Sequence, residues 1–223
     1  MDTAYLHGRD PVFVARHLCD GGADLIQLRA KGSPPDEVRR MAEALLPVTE
    51  AAGVGLVIND HPMLALQIGA PLCHLGQEDF FDAGFTHTDQ MRSAEFGMRS
   101  EAATAHPPPF AFRPSHSALR IGLSTHAPDQ AQRALRAGPD YIAIGPVFAT
   151  GTKPTAAPVT LDYVRWAAAN VSIPWFAIGG ITLANLDDVL AAGARRVAVV
   201  SAILGSPDVR AACREFKRRL ESV

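Results

Sequence analysis

Five times along the chain a helical stretch ends at glycine and a short apolar run follows. The joints read CDGGADLIQL at 19–28, AAGVGLVI at 51–58, IGAPLCHL at 68–75, RAGPDYIAI at 136–144 and AAGARRVAV at 191–199. Glycine just past a helix takes the left-handed conformation without steric penalty. The runs behind it are continuously apolar rather than alternating, which marks strands buried on both faces. Two further runs, LRIGLST at 119–125 and IPWFAIGG at 173–180, extend the series. Strand and helix in unbroken alternation dictate parallel pairing with right-handed crossovers.

Seven strands are expected, at about 24–29, 55–59, 71–75, 120–124, 141–146, 174–178 and 196–200. Helices open between them at Ser33-Pro34-Pro35-Asp36, running to about Ala52, and at Thr160, Thr182 and Ser206-Pro207, residues suited to caps and first turns. The fold class is therefore α/β, a (β/α)8 TIM barrel forming one domain over 1–223, with its first strand short or missing. Only TAYLH at 3–7 stands where that strand belongs. Either it makes a stunted strand or the chain begins later than its relatives. Residues 80–118, rich in Phe, Pro and His, exceed an ordinary crossover and read as a long insertion over one end of the barrel.

Composition narrows the class. The 21 basic residues are balanced by 23 acidic ones, with 48% hydrophobic residues, so no basic stripe points to nucleic acid. Three widely spaced cysteines, Cys19, Cys73 and Cys213, form no metal or disulfide pattern, which fits a reducing cytoplasmic location. No apolar run approaches the roughly 20 residues of a membrane span. The partners expected are small phosphorylated molecules, and self-association into a homo-oligomer stays open.

In a parallel barrel the site lies at the C-terminal strand ends. The first clear strand ends in Gln27-Leu28-Arg29-Ala30-Lys31, and alternation sets Gln27, Arg29 and Lys31 on one side. Cations held there without a partner would be costly, so they imply a polyanion; Lys31 alone could simply be solvated. Asn59-Asp60 and Gly76-Gln77-Glu78-Asp79 end the next two strands. Asp60 and Asp79 suit a hard cation bridging protein and phosphate, since Mg²⁺ uses one or two carboxylates plus substrate oxygens. Asp60 could also cap the helix at Pro62. Ser124, before Thr125-His126, could donate to a phosphate or turn the chain. His74 and His126 read as packed or hydrogen-bonded histidines, and with no nucleophile beside them a triad is disfavoured.

The run YIAIGPVF breaks into ATGTKP at 149–154. Beyond it, Gly179-Gly180 and Val200-Ser201 end successive strands, where backbone N–H groups and a hydroxyl suit a single phosphate. Two anion sites result, with Thr150, Thr152 and Lys153 between them.

QLRAK, IND, HLGQED, GLSTH, GPVFATGTK, AIGGI and VVSAI, in that order, resemble the thiamine phosphate synthase family. The resemblance runs from about residue 11 to 205. It implies a (β/α)8 barrel that joins hydroxymethylpyrimidine diphosphate to thiazole phosphate with loss of pyrophosphate. By resemblance, Gln27, Arg29, Lys31, Asn59, Ser124 and Lys153 hold the pyrimidine diphosphate, with Arg29, Ser124 and Lys153 catalytic. Asp60 and Asp79 bind Mg²⁺, and Thr150, Thr152, Gly179, Gly180, Val200 and Ser201 take the thiazole phosphate. The implied chemistry is dissociative and needs no protein nucleophile. Ala149 replaces a proline common in the motif, His61 is atypical, and PLC stands where DGV is usual. The alternatives are a thiazole tautomerase-like paralogue, which would have no use for the diphosphate residues, and a non-catalytic barrel binding thiamine precursors.

Overall fold

The computed structural model describes residues 1–92, 119–151 and 157–222. Its strands are β1 (Leu25–Leu28), β2 (Gly55–Asn59), β3 (Leu72–Gly76), β4 (Arg120–Thr125), β5 (Tyr141–Ile144), β6 (Trp175–Ile178) and β7 (Val197–Ala198). They form one parallel sheet in sequence order. The helices are α1 (Pro11–Asp20), α2 (Pro35–Ala51), α3 (Pro62–Ile68), α4 (Gln77–Asp82), α5 (Asp89–Arg92), α6 (Pro128–Arg136), α7 (Thr160–Asn170), α8 (Leu186–Ala191), α9 (Ser201–Leu204) and α10 (Val209–Glu221). β1 and β7, the two edges, line the same cavity, so the sheet curls round it as in a barrel.

Register divides the apolar residues into two layers. Ile26, Leu28, Leu56, Ile58, Cys73, Leu75, Ile121, Leu123, Ile142 and Ile144 belong to the main core, together with residues from the helices. Their alternates Val57, Leu72 and Tyr141 form a separate buried group, with Leu25 and Phe176 packed against it, inside the curl. Both strand faces are therefore apolar, which is why the runs do not alternate.

The seven expected strands are present, and among the described residues there is no eighth. TAYLH forms no strand: Thr3–Tyr5 is a 3-10 turn, capped by Asp2, whose carboxylate accepts from Ala4 N. Asp2 makes a single parallel bridge to Arg29. Thr3 N donates to Arg29 O at 2.9 Å and Arg29 N to Met1 O at 3.0 Å. The N-terminus thus lies beside the end of β1 for one rung.

The expected insertion begins too early. Phe80, inside α4, is fully buried, and Met91 in α5 is 2% exposed. Phe80 packs against Phe81 and Phe85, and Thr88 N and Oγ1 bond to Ala137 O and Gly138 O. Residues 80–92 therefore belong to the helical layer, because aromatic side chains bury against the core instead of lying over the mouth. The remainder of that segment, 93–118, lies outside the described residues.

Candidate active site

A cavity of about 310 Å³ opens at the C-terminal strand ends and continues inward between β7 and β1. Gln27, Arg29, Lys31, Asn59, Asp60, Asp79, Ser124, Thr150, Gly179, Gly180, Val200 and Ser201 all line it. Every described residue that the resemblance assigns to a substrate or the metal is thus on one wall or another of the same space. Thr152 and Lys153 lie outside the described residues.

The cations are not solitary, contrary to the argument from alternation. Arg29 forms an ion pair with Asp2, whose side chain is 3% exposed. Lys31 Nζ stands 3.7 Å from Asp60 Oδ2. A polyanion is consequently not needed to neutralise an orphan charge. The guanidinium has five N–H donors in a planar fork, so one carboxylate contact leaves it chemically able to meet a second anion. Asp2 is a residue that sequence reasoning missed, since nothing local ties position 2 to position 29.

Two carboxylates approach the mouth by different local devices. Asp60 adopts φ +63° and donates its N–H to His74 O at 2.9 Å; Asp is among the few residues that tolerate this region. Among the described residues it does not cap α3, which starts from His61 without a side-chain cap bond. Asp79 sits in the first turn of α4, where the helix starts from Gly76. A Cβ on Gly76 would come within 2.6 Å of Asp79 Oδ2, so glycine there lets the carboxylate fold back onto the strand end. Among the described residues no group of three or more His, Cys, Asp and Glu could hold a metal ion alone. Asp60 and Asp79 line one cavity with Arg29 and Lys31, and two carboxylates there would suit a hard cation that completes its shell with ligand oxygens, as Mg²⁺ does, and not a closed protein cage.

Deeper, His74 Nε2 lies 2.7 Å from Ser124 Oγ and Nδ1 lies 3.2 Å from Tyr141 OH. The histidine and tyrosine rings stack at 5.5 Å, and Tyr141 meets Phe176 edge-on at 5.4 Å. Burial pushes the Tyr141 phenol up, keeping it protonated. Ser124 is a β4 residue, not a turn. His126 Nδ1 bonds to Gly145 O, and its backbone N–H donates to Gln130 Oε1 at 2.8 Å. Both histidines are hydrogen-bonded, as expected.

On the far wall, the loop after β5 pairs onto β6: Val147 N donates to Ile178 O at 2.9 Å and Phe148 N to Gly179 O at 3.1 Å. Gly179 and Gly180 have φ +100° and +64°. A Cβ would strike Pro146 Cβ at 2.4 Å from Gly179, and Ala149 O at 2.6 Å from Gly180. Two adjacent loops can meet there only over glycine. Ser201 is exposed at the start of α9, directly after Val200.

No thiol is poised to attack. Burial pushes up Cys19, Cys73 and Cys213 alike, and for Cys73 the charge of Asp60 adds to the effect.

A curled parallel sheet with carboxylates, cations and glycine-bounded loops at its C-terminal ends defines an α/β barrel-like protein whose candidate site lies where such folds carry theirs. Residues 2–84 and 107–203 match the family described as thiamine monophosphate synthase. The thiamine-phosphate synthase of Thermus thermophilus is 42% identical over 204 residues, covering 91% of this chain and 85% of that protein. That of Methanoregula boonei is 36% identical over 220 residues, covering 98% and 90%. In structure, the thiamine phosphate pyrophosphorylase from Pyrococcus furiosus superposes with TM-score 0.75 at 28% identity, covering 96% of this chain and 91% of that one. The chain belongs to the thiamine monophosphate synthase family.

Proposed function

We propose that this chain is a thiamine-phosphate synthase, a transferase that condenses 4-amino-5-hydroxymethyl-2-methylpyrimidine diphosphate with 4-methyl-5-(2-phosphoethyl)thiazole. The products are thiamine phosphate and pyrophosphate. The observation carrying this reading is that the described residues of both expected subsites line one cavity, so two phosphorylated ligands meet in a single space. A thiazole tautomerase-like paralogue would not require the acid–base wall of Arg29, Lys31, Asp60 and Asp79.

Gln27, Arg29, Lys31, Asn59 and Lys153 bind and orient the diphosphate, while Ser124 faces the pyrimidine. Asp60 and Asp79 would hold Mg²⁺. Bound there, the metal would supply positive charge to the departing pyrophosphate. Thr150, Thr152, Gly179, Gly180, Val200 and Ser201 seat the thiazole phosphate. The C–O bond to diphosphate breaks with its electron pair leaving on pyrophosphate, and the thiazole nitrogen lone pair closes the new C–N bond on the pyrimidine methylene. Arg29 and Lys153 stabilise the leaving charge, and placement does the rest. The architecture is read as a (β/α)8 barrel in which the Asp2 rung marks the place of the first strand.

Two variants test the assignment of subsites. Asp79→Asn should lower turnover by about 100-fold or more and raise the Mg²⁺ needed for half-maximal rate. Ser201→Ala should raise KM for thiazole phosphate about tenfold with KM for pyrimidine diphosphate unchanged. Equal shifts for both substrates in the serine variant would contradict two separate subsites.

A further inference from the structure

The chain reverses between Leu6 and Arg9. His7 and Gly8 have φ +50° and +79°, and Arg9 N donates to Leu6 O at 3.0 Å. This is a tight turn with positive φ at both central residues, which suits glycine at the second. The reversal brings the Arg9 side chain back onto the 3-10 turn at Thr3–Tyr5. There Nε donates to Leu6 O at 2.8 Å and Nη2 to Tyr5 O at 2.7 Å. Nη2 also donates to Leu204 O, 195 positions away in the sequence. Three carbonyls from two distant parts of the chain thus meet one guanidinium. Its planar fork supplies the directed donors that an ammonium lacks.

Leu204 is the last residue of α9, the single turn that begins at Ser201. Leu204 N donates to Val200 O and Gly205 N to Ser201 O, both at 2.9 Å. Four residues are too few to hold a helix without tertiary support, and a turn this short moves as one body. The grip on Leu204 O therefore sets where Val200 and Ser201 stand in the cavity wall. The segment that Arg9 folds also borders the loop after β5. A Cβ on Gly151 would come within 3.0 Å of the Tyr5 hydroxyl, one residue beyond the cavity-lining Thr150.

We propose that Arg9 is a positioning residue for the thiazole phosphate subsite, holding the Val200–Ser201 end of α9 in place through Leu204 without touching the ligand. The identity of the subsite rests on the synthase reading; the tie from Arg9 to α9 rests on the three bonds. Geometry rather than charge carries the effect, so lysine does not replace arginine at this position.

The test measures kcat and KM for each substrate in wild type, Arg9→Gln, Arg9→Lys, Ser201→Ala and the Arg9→Gln/Ser201→Ala double variant, with thermal melts of each. Arg9→Gln should raise KM for thiazole phosphate about tenfold. KM for pyrimidine diphosphate and kcat should stay within about twofold of wild type. Arg9→Lys should resemble Arg9→Gln, since one ammonium cannot reproduce the fork. The double variant should stay within about threefold of either single one, whereas independent effects would multiply to about a hundredfold. A melt lowered with both KM values unmoved would reduce Arg9 to a structural role and overturn the proposal. Equal rises for both substrates, full rescue by lysine, or multiplying effects in the double variant would overturn it as well. Failure of the synthase reading looks different, as wild type that forms no thiamine phosphate from the two substrates, and it would remove this proposal with it.

Discussion

Asp2 holds Arg29 against the end of β1 with its own carboxylate almost fully buried. Removing one partner of such a pair leaves the other charge uncompensated, at a cost of about 3 kcal/mol. Asp2→Asn should therefore lower the melting midpoint by about 5–10 °C and reduce activity through a displaced Arg29; an unchanged midpoint in a thermal melt would contradict the pair. The amine of Met1 stands in the same corner, donating to Gln27 O. Burial, and secondarily Arg29, lowers its pKa to about 6, with Asp2 opposing. The folded state then binds fewer protons than the unfolded chain between about pH 6 and 8. Stability of the 223-residue chain should rise across that window, by about 2 kcal/mol at most, and denaturant titrations at pH 6 and 8 check the sign. Neither residue was legible in the sequence, since their partners are 26 or 27 positions away. Caps failed for a nearer reason: with several candidates adjacent, Asn185 and Asp208 win over Thr182 and Ser206. The Asp208 carboxylate reaches Ala211 N at 2.9 Å. The candidate residues that line the cavity were legible as a group because strand alternation and the barrel rule locate them together, whichever contacts they make.

Strands were the most readable elements. A run such as YIAI, buried at every position, has no helical stripe and ends at glycine, so period, length and boundary agree. Elements without a glycine boundary were harder. FFDAGF falls in the expected insertion because residues 80–118 as a whole exceed an ordinary crossover, yet α4 buries Phe80 completely. If that segment belongs to the packed layer, Phe80→Ala should destabilise by about 3–5 kcal/mol while leaving both KM values near wild type in the surviving folded fraction. If it were a lid, the pattern would reverse, with KM changed and the melt undisturbed. The β5–β6 loop contact is another case. GG was read as an anion cradle, but its glycines also meet a packing demand, since Cβ atoms there would run into Pro146 and the Ala149 carbonyl. One dipeptide serves both loops.

At the scale of the whole molecule, the curled sheet brings sequence-distant strand ends to one cavity, and family membership supplies the identity of what enters it. Pattern alone reached a parallel barrel with two anion-suited regions; it could not name a pyrimidine or a thiazole, because those rings are recognised by shape and by a few hydrogen bonds that alternation does not encode. The central claim is that two phosphorylated substrates are joined in this space with release of pyrophosphate. The most direct measurement incubates the purified chain with both substrates, with each alone, and with Mg²⁺ present or chelated, following thiamine phosphate and pyrophosphate together. The account predicts equimolar appearance of the two products, only when both substrates and the metal are present. Pyrophosphate released without thiamine phosphate, or no product while both ligands bind, would contradict it.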